Sequence, residues 1–252
     1  MEEKLSFIKE KFINTPVGEL EELIALYQAD GRAGVKQEIK KAQKRILSLQ
    51  KEKERTAALW EYEHRYREYT KICGIDEVGR GPLAGPVVAG AVILPADCRI
   101  LYINDSKKLG EKKREELYEE IMEQAVAVGI GMASPQRIDE INILNATYEA
   151  MREAISKLSV PPDILLNDAV TIPGIACRQV PIIKGDAKSI SIGAASIIAK
   201  VTRDRMMVEY DSIFPEYGFA SHKGYGSAEH IKALKEYGPV PIHRRSFIRN
   251  FV

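Results

Sequence analysis

Cysteine is scarce in this sequence of 252 residues, which contains only three copies. Cys73, Cys98 and Cys177 stand far apart and form no C-x-x-C pair, so neither a zinc site nor a disulfide framework is indicated. A sparse, odd number of cysteines is typical of the reducing cytoplasm. We therefore expect a cytoplasmic protein whose core needs no covalent cross-links.

Long apolar runs are missing as well. No stretch approaches the roughly 20 residues needed to span a bilayer, and the opening segment MEEKLSFIKEKF lacks the apolar core of a signal peptide. Neither sign of charge dominates, because 37 basic residues face 36 acidic ones, a formal net charge of +1. This balance does not exclude a nucleic-acid partner, since basic side chains that contact phosphates can be concentrated locally.

The chain changes character near residue 70. Residues 1–70 read as helix, with apolar side chains at three- and four-residue steps and with Gly31 and Gly34 as expected breaks. Within residues 36–55, eight basic side chains face only three acids. A charge run of this kind is most often a solvated helix face, but a basic helix can also track phosphates, and both interpretations stay open.

Residues 71–252 have a different texture, in which short apolar runs punctuated by glycine and proline alternate with helical patterns. The runs KICGIDE, PVVAGAVILP, VGIGMAS, PDILLNDA and RQVPIIKGD predict strands. Some strands adjoin in sequence and others are separated by helices, which favours an α/β fold with a central mixed sheet flanked by helices. We expect a helical N-terminal extension over residues 1–70 and an α/β domain with a C-terminal helical segment over residues 71–252.

Four acidic residues stand at or beside the ends of predicted strands. Asp76 and Glu77 close the run KICGI, and Asp168 closes the run DILLN. Asp186 follows Gly185 before a long helix, where an acid is also an ordinary helix cap. Adjacent residues of a regular strand point to opposite faces. Asp76 and Glu77 can therefore share one site only if the strand ends there, or if one of them contributes its backbone carbonyl.

These acids together predict a metal site more strongly than any of them does alone. A carboxylate that ends a buried strand is costly unless it meets a metal ion or a cation. Carboxylates at the ends of neighbouring strands gather at one edge of a sheet, where a hard divalent cation finds oxygen ligands. The residues alone thus indicate a divalent-metal site, with phosphoryl-transfer chemistry as the expected use.

Longer motifs resemble those of a known family. The segment GIDEVGRGPLAGPVVAGAVILP resembles the opening motif of ribonuclease HII, the type 2 ribonuclease H of bacteria. The segments NDSKKLGEKKREEL, LLNDA, KGDAKSISIGAASIIAKVTRDRMM and HKGYGSAEH resemble further motifs of that family, in the same order. Together they cover nearly everything from Lys71 to about His243. Residues 1–70 lie outside this resemblance, although bacterial members often carry helical extensions there.

The resemblance implies a ribonuclease H-like fold with a central mixed five-stranded sheet. It also implies hydrolysis of the phosphodiester 5′ to a ribonucleotide, in RNA–DNA hybrids and in duplex DNA that contains single ribonucleotides, leaving 3′-hydroxyl and 5′-phosphate ends. The expected cofactor is Mg²⁺ or Mn²⁺ in a two-ion site, and the expected state is a monomer. In both roles, catalysis and metal binding, the family's acids correspond to Asp76, Glu77, Asp168 and Asp186.

Substrate-binding positions are implied in the same way. The glycine–arginine–glycine loop is expected to read the ribose 2′-hydroxyl through its backbone, and a tyrosine is expected to stack on the neighbouring sugar. A serine and two lysines resemble a phosphate-contacting segment. Without the resemblance these residues would read as a tight turn, an ordinary tyrosine and solvated lysines. The positions are Gly79, Arg80, Gly81, Tyr225, Ser106, Lys107 and Lys108.

Three alternatives remain open on the sequence. Ribonuclease HIII shares the fold and the reaction, but Arg80 and the lack of a β-rich N-terminal extension argue against it. A nucleic-acid-binding module with a relict metal site is disfavoured by the intact acidic quartet, because uncompensated acids repel DNA. A divalent-metal phosphatase is the third alternative, which the absence of cleavage on ribonucleotide-containing duplexes would favour.

Overall fold

The computed structural model describes residues 3–252, which divide into one unit that ends at Ala58 and a second from Leu59 to Val252. In the first unit, helices α1 (Leu5–Asn14), α2 (Leu20–Tyr27) and α3 (Ala33–Ala58) enclose a small apolar core. Gly34 lies inside the first turn of α3 and forms no break, in contrast to the sequence-based expectation. No helix in residues 3–252 has the length and apolar character needed to cross a membrane.

The second unit is built on one five-stranded sheet. Its strand order is β3-β2-β1-β4-β5. The pairs β1–β2 and β2–β3 are antiparallel, whereas β1–β4 and β4–β5 are parallel. The strands are β1 (Ile72–Val78), β2 (Val87–Ile93), β3 (Ala127–Ala133), β4 (Ile164–Asp168) and β5 (Arg178–Ile182).

Helices cover both faces of this sheet. Side chains at alternate positions of β2 pack with α6 on one face, and the intervening positions pack with α7 on the other. The predicted α/β fold with a mixed five-stranded sheet is therefore confirmed. The helices of this unit are α4 (Glu61–Arg65), α5 (Glu111–Gln124), α6 (Pro135–Ser156, interrupted at Asn142), α7 (Ile190–Ile213), α8 (Phe219–His222), α9 (Ala228–Tyr237) and α10 (Arg245–Ile248).

Small residues set the distance between α7 and the sheet. A Cβ atom on Gly74 of β1 would lie 2.0 Å from the carbonyl carbon of Ser191, at the start of α7. A Cβ atom on Gly90 of β2 would lie 2.5 Å from the carbonyl oxygen of Ala195, one turn farther along the helix. Because neither strand carries a side chain at these points, the helix backbone rests directly on the sheet. The turn that precedes α7 is thereby held beside β1.

Candidate active site

Two of the predicted acids occupy equivalent positions on neighbouring strands. The last paired residues of the parallel strands β1 and β4 are Ile75 and Asn167. Asp76 and Asp168 follow them directly, so the two carboxylates start from adjacent points at one edge of the β1–β4 pair. Asp76 is buried and Asp168 is half-buried. The expectation that strand ends bring these two acids together matches this geometry.

Glu77 differs from the sequence-based picture in one respect. Strand β1 does not end at the acids, because Asp76 and Glu77 remain paired with Gly90 and Ala89 of β2. Only the pairing with β4 ends before them. Although they are consecutive strand residues, the Asp168 carboxylate raises the pKa of both, so both acids lie near this open edge. The Glu77 amide donates to Asp76 Oδ1 at 2.8 Å, and Arg80 Nη1 lies 3.5 Å from Glu77 Oε1.

Asp186 reaches the same edge from a short 3₁₀ turn, Gly185–Ala187. Lys184 adopts the left-handed conformation with φ +57°, and this turns the chain before Gly185. The Gly185 amide then donates to Asp168 Oδ1 at 2.7 Å. A single hydrogen bond therefore links the turn that carries Asp186 to the carboxylate that ends β4.

The acids perturb one another electrostatically. Burial raises the pKa of Asp76 well above its ordinary value, and the nearby Glu77 and Asp168 carboxylates raise it further. Burial also raises the pKa of Glu77 against the opposing effect of Arg80. The pKa of Asp186 is raised by burial and by the carboxylates of Asp105 and Asp168. Mutual repulsion of this kind marks a place where positive charge is favourable.

The chemistry of these residues fits a divalent cation. All four side chains offer carboxylate oxygens, the donors that Mg²⁺ and Mn²⁺ prefer. Within residues 3–252, no three carboxylate, imidazole or thiol groups already converge closely enough to enclose an ion.

The glycine–arginine–glycine loop and Tyr225 lie side by side. Gly79 has φ +90°, a conformation that side chains disfavour. A Cβ atom on Gly81 would lie 3.9 Å from the Tyr225 ring. The Leu83 amide donates to the Gly224 carbonyl at 2.8 Å, which ties the two segments together. Tyr225 itself is 43% exposed, so its ring is open to a ligand.

Two buried arginines hold this loop from beneath, and the sequence analysis did not single them out. Arg244 donates to the carbonyl oxygens of Gly79, Arg80 and Gly85. Arg203 donates to the carbonyls of Pro86, Ala84 and Lys223 at 2.9–3.0 Å. Neither guanidinium forms an ion pair with an acid in the described part of the chain. The two arginines therefore act as tethers that point the loop carbonyls inward.

Burial without an acidic partner lowers the pKa values of both arginines. Burial and the neighbouring Arg203 lower the pKa of Arg244 to about 9. Burial also lowers the pKa of Arg203. Arg203 stands within the predicted helix SISIGAASIIAKVTRDRMM and Arg244 in the polar run HRRS, and surface arginines occur in the same settings.

Two histidines stand behind Tyr225 in a chain of hydrogen bonds, and a third stacks on one of them. The Val240 amide donates to His243 Nδ1 at 3.0 Å, so His243 Nε2 carries a proton and donates to His230 Nε2 at 3.0 Å. His230 Nδ1 in turn donates to the Tyr225 carbonyl at 2.8 Å. His222 stacks on His230 with ring centroids 4.5 Å apart. His230 and His243 are buried, and His222 is half-buried, so the cluster packs behind Tyr225 as part of the structure.

The segment before α5 approaches the acids from another side. The Ser106 hydroxyl is buried and lies 2.9 Å from the Ser196 hydroxyl of α7, and Ser196 also lowers the pKa of Asp76. Lys107 and Lys108 are exposed. The positive charge of Lys107 opposes the rise in the pKa values of both Glu77 and Asp186. The two lysines therefore border the acidic cluster, whereas the serine side chain braces it from inside.

Residues that the sequence analysis did not identify complete the surroundings. Asp105 adds a fifth carboxylate beside Asp186. Asn167 is fully buried and donates through Nδ2 to the Val170 carbonyl at 3.1 Å and to Gln179 Oε1 at 2.8 Å. This pair braces the loop that leaves Asp168. Asn167 directly precedes Asp168 in the sequence, but the position of Gln179 on β5 gives no separate sequence signal.

Comparison with known proteins identifies the family. The family model described as Ribonuclease HII matches residues 73–250, and the model of the Ribonuclease HII N-terminal domain matches residues 4–67. Ribonuclease HII of Lachnoclostridium phytofermentans is 70% identical over 224 residues, covering 89% of this chain and 88% of that protein. Ribonuclease HII of Clostridioides difficile is 53% identical over 247 residues, covering 97% of both chains.

Solved structures agree with this assignment. The ribonuclease H2 of Pyrococcus horikoshii superimposes with a TM-score of 0.61 at 30% sequence identity, covering 72% of this chain and 96% of that one. The predicted resemblance is confirmed, and ribonuclease HIII, the alternative within the same fold, is not the family matched. The chain belongs to the ribonuclease HII family, and it is accordingly a metal-dependent hydrolase of the ribonuclease H type that acts on RNA–DNA hybrids.

Proposed function

We propose that this enzyme hydrolyses the phosphodiester 5′ to a ribonucleotide, both in RNA–DNA hybrids and in duplex DNA that contains a single ribonucleotide. The products are 3′-hydroxyl and 5′-phosphate ends. The observation that supports this most is the meeting of the acids at the edge of β1 and β4 with the glycine loop that continues from β1. A cleavage centre and a sugar-reading loop are thus joined by one short stretch of chain, Asp76–Gly81.

In this proposal Asp76, Glu77, Asp168 and Asp186 hold two Mg²⁺ or Mn²⁺ ions. Ions held there would activate a water molecule and neutralise the charge that develops on the leaving oxygen. The protein's own contribution is to bring the carboxylates together at the sheet edge. The hydrogen bonds from the Gly185 amide to Asp168 and from the Glu77 amide to Asp76 orient two of them.

The 2′-hydroxyl is recognised through the backbone of Gly79, Arg80 and Gly81. Arg244 occupies the carbonyls of Gly79 and Arg80, which directs them away from the substrate side. The amides of this segment are the proposed donors to the hydroxyl oxygen, and Arg80 and Gly81 are exposed. A hydroxyl group at this position is what distinguishes RNA from DNA.

Tyr225 and the lysine segment complete the proposed substrate contacts. The exposed Tyr225 ring, next to Gly81, stacks on the sugar adjacent to the ribonucleotide and favours an RNA-to-DNA junction. Lys107 and Lys108 contact phosphates beside the cleaved bond. Ser106 belongs to the same segment, and its inward hydroxyl contributes by holding the lysines in place.

The helical N-terminal extension, residues 1–70, is proposed as a substrate-binding arm. Lys36, Lys40, Lys44 and Lys51 are exposed on α3, and their spacing puts them on one stripe of that helix. The stripe runs for about 22 Å at 1.5 Å per residue, a length that suits several consecutive phosphates. We further propose that the enzyme acts as a monomer in the cytoplasm.

The proposal is tested with three labelled duplexes: all DNA, DNA with one ribonucleotide, and a continuous RNA–DNA hybrid. We expect cleavage of the second and third with Mg²⁺ or Mn²⁺, and end-group analysis should give a 5′-phosphate on the ribonucleotide. Cleavage of the hybrid alone would indicate that this enzyme has the substrate preference of ribonuclease HIII. Failure on all three duplexes would favour the binding module or the phosphatase.

A further inference from the structure

A buried glutamate contacts the start of α7 from the short helix α4. Glu63 is only 5% exposed. The Ser189 hydroxyl donates to Glu63 Oε1 at 2.6 Å, and the Ser191 amide donates to the same oxygen at 3.1 Å. Between them, the Ile190 amide donates to the Leu59 carbonyl at 3.0 Å. Three successive residues at the start of α7 are therefore held by the segment around α4.

The start of α7 is directly continuous with the turn that carries Asp186. The amides of Lys188 and Ser189 both donate to the Gly185 carbonyl, at 2.9 Å and 2.8 Å. A Cβ atom on Gly193 would lie 3.1 Å from the Asp186 carbonyl oxygen, so the first turn of α7 rests on the acid's own backbone. A displacement of Ser189 would therefore also displace Asp186.

Helix capping alone does not account for Glu63. Ser189 is already the N-cap of α7, because its hydroxyl accepts from the Ile192 amide at 3.3 Å. Burial raises the pKa of Glu63, and its Oε2 atom has no hydrogen-bond partner within residues 3–252. A buried carboxyl group with one unsatisfied oxygen costs stability. We explain the presence of Glu63 by its effect on the position of the start of α7.

We propose that Glu63 is a positioning residue for Asp186, which it acts on through Ser189 and the Gly185–Ala187 turn. This inference rests on the proposed function, in which Asp186 is a metal ligand. Glu63 touches neither metal nor substrate in this scheme. It fixes the direction from which the Asp186 carboxylate approaches the acids of β1 and β4, in the way that outer hydrogen-bond partners orient metal ligands.

The test is Mn²⁺ binding to the full-length protein, measured by titration calorimetry. Glu63→Ala removes the acceptor oxygen and should weaken Mn²⁺ binding about 10-fold, the usual scale for the loss of an orienting partner. Glu63→Gln keeps one acceptor oxygen for Ser189 and should bind within about twofold of the native protein. Glu61→Ala is the matched control, because Glu61 is exposed on the same helix and forms an ion pair with Arg65.

A second measurement separates positioning from general loosening of the fold. In the Asp186→Asn background, Glu63→Ala should cause no further loss of Mn²⁺ affinity, since the residue it acts on is already disabled. Equal losses in both backgrounds, or native affinity in Glu63→Ala, would overturn the proposal. If Glu63→Ala does not fold, Ser189→Ala removes the hydroxyl donor and is measured in its place, with the same loss expected.

Failure of this inference can be distinguished from failure of the proposed function. A native protein that cleaves no ribonucleotide-containing duplex contradicts the proposed function, yet its Mn²⁺ affinity can still be compared among the variants. A native protein that cleaves such duplexes, with Glu63→Ala unchanged in metal affinity, contradicts only the inference about Glu63.

Discussion

At the scale of single residues, the acidic cluster opposes folding until its charge is compensated. Burial and the charge of Glu77 raise the pKa of Asp76, so the folded state disfavours its ionised form. An acid whose pKa is raised on folding lowers stability as pH rises above its ordinary value of 3.8. Cation binding reverses this effect because it favours the ionised form.

We therefore predict that Asp76→Asn unfolds at a higher temperature than the native protein at pH 8 in the presence of a chelator. The difference in unfolding temperature between the two proteins should be smaller at pH 5. Added Mn²⁺ should raise the unfolding temperature of the native protein more than that of the variant. Asp97→Asn, at an exposed turn, is the control. A lower unfolding temperature for Asp76→Asn with chelator at pH 8 would be evidence against this electrostatic account.

The histidine chain predicts acid sensitivity of a separate kind. Burial and the neighbouring His230 lower the pKa of His243 from 6.5 to about 4. Between these two pH values the unfolded chain binds a proton that the folded chain does not, so stability falls as pH drops from 6.5 towards 4. The loss reaches about 3 kcal/mol at most, since a tenfold change in proton affinity corresponds to about 1.4 kcal/mol.

The variant His243→Gln should show a shallower fall in the free energy of unfolding over this pH range. Urea unfolding at pH 7.5 and pH 5 measures the difference. His64→Gln, at an exposed histidine of α4, should behave like the native protein. Equal pH dependence in His243→Gln and the native protein would show that the buried chain is not the source of the acid sensitivity.

The acids could be proposed from the sequence because their setting is local. Asp76 and Asp168 each end an apolar run, and that pattern can be read without knowing which strands pair. Asp105 and Ser196 were missed because their role depends on three-dimensional packing. Ser196 is one of several small residues on α7, and only the approach of α7 to β1 brings its hydroxyl to Asp76.

At the scale of elements, the loop Gly79–Pro86 depends on buried arginines more than on its own sequence. Arg244 makes four hydrogen bonds to backbone carbonyls of this loop. Lysine carries the same charge but cannot reproduce a planar fork of donors. The loop's conformation is therefore expected to be lost before the strands on either side of it are disturbed.

We predict that Arg244→Lys lowers the free energy of unfolding by about 3 kcal/mol, because carbonyls and a buried charge lose partners. It should also lower kcat/KM on a single-ribonucleotide duplex about 100-fold through misplacement of the loop, while Mn²⁺ affinity stays near native. Arg249→Lys, at an exposed position nearby, is the control. Native kcat/KM in Arg244→Lys would contradict the tethering role.

The basic stripe of α3 gives a prediction about a whole helix. Lys40→Gln combined with Lys44→Gln should weaken binding to a ribonucleotide-containing duplex and reduce the slope of log affinity against log salt by about 1.8, or about 0.9 for each lost phosphate contact. Lys41→Gln combined with Lys53→Gln removes the same charge away from the stripe and should change the slope less. Identical slopes for the two double variants would indicate that this stripe is a solvated helix face and does not contact phosphates.

Most helices and strands could be predicted from the sequence, but the points at which a helix is interrupted could not. The strand runs matched β1 to β5 because alternation, β-branched residues and flanking glycines all agree there. The pattern from Val35 to Tyr69 predicts a continuous helix, whereas α3 ends at Ala58 and α4 begins at Glu61. Leu59 and Trp60 pack into the core of the second unit, a tertiary contact that periodicity does not reveal.

At the scale of the whole molecule, the sheet order decides which residues meet. Sequence patterns predicted a mixed sheet but not that β4 would pair with β1 and add a parallel strand beside the first acid. This pairing depends on contacts between residues about 90 positions apart, which no local pattern encodes. The C-terminal segment is similar, since Arg244 reaches back to a loop that begins at Gly79.

The central claim is that four carboxylates and the adjacent glycine loop form one centre that cuts DNA at a ribonucleotide. The most direct test is cleavage of a labelled duplex with a single ribonucleotide by the native protein and by Asp76→Asn, in Mg²⁺ or Mn²⁺. We predict one cut, 5′ to the ribonucleotide, and its loss in the variant. A native protein that leaves this duplex intact, or an Asp76→Asn variant that cuts it at the native rate, would contradict the account.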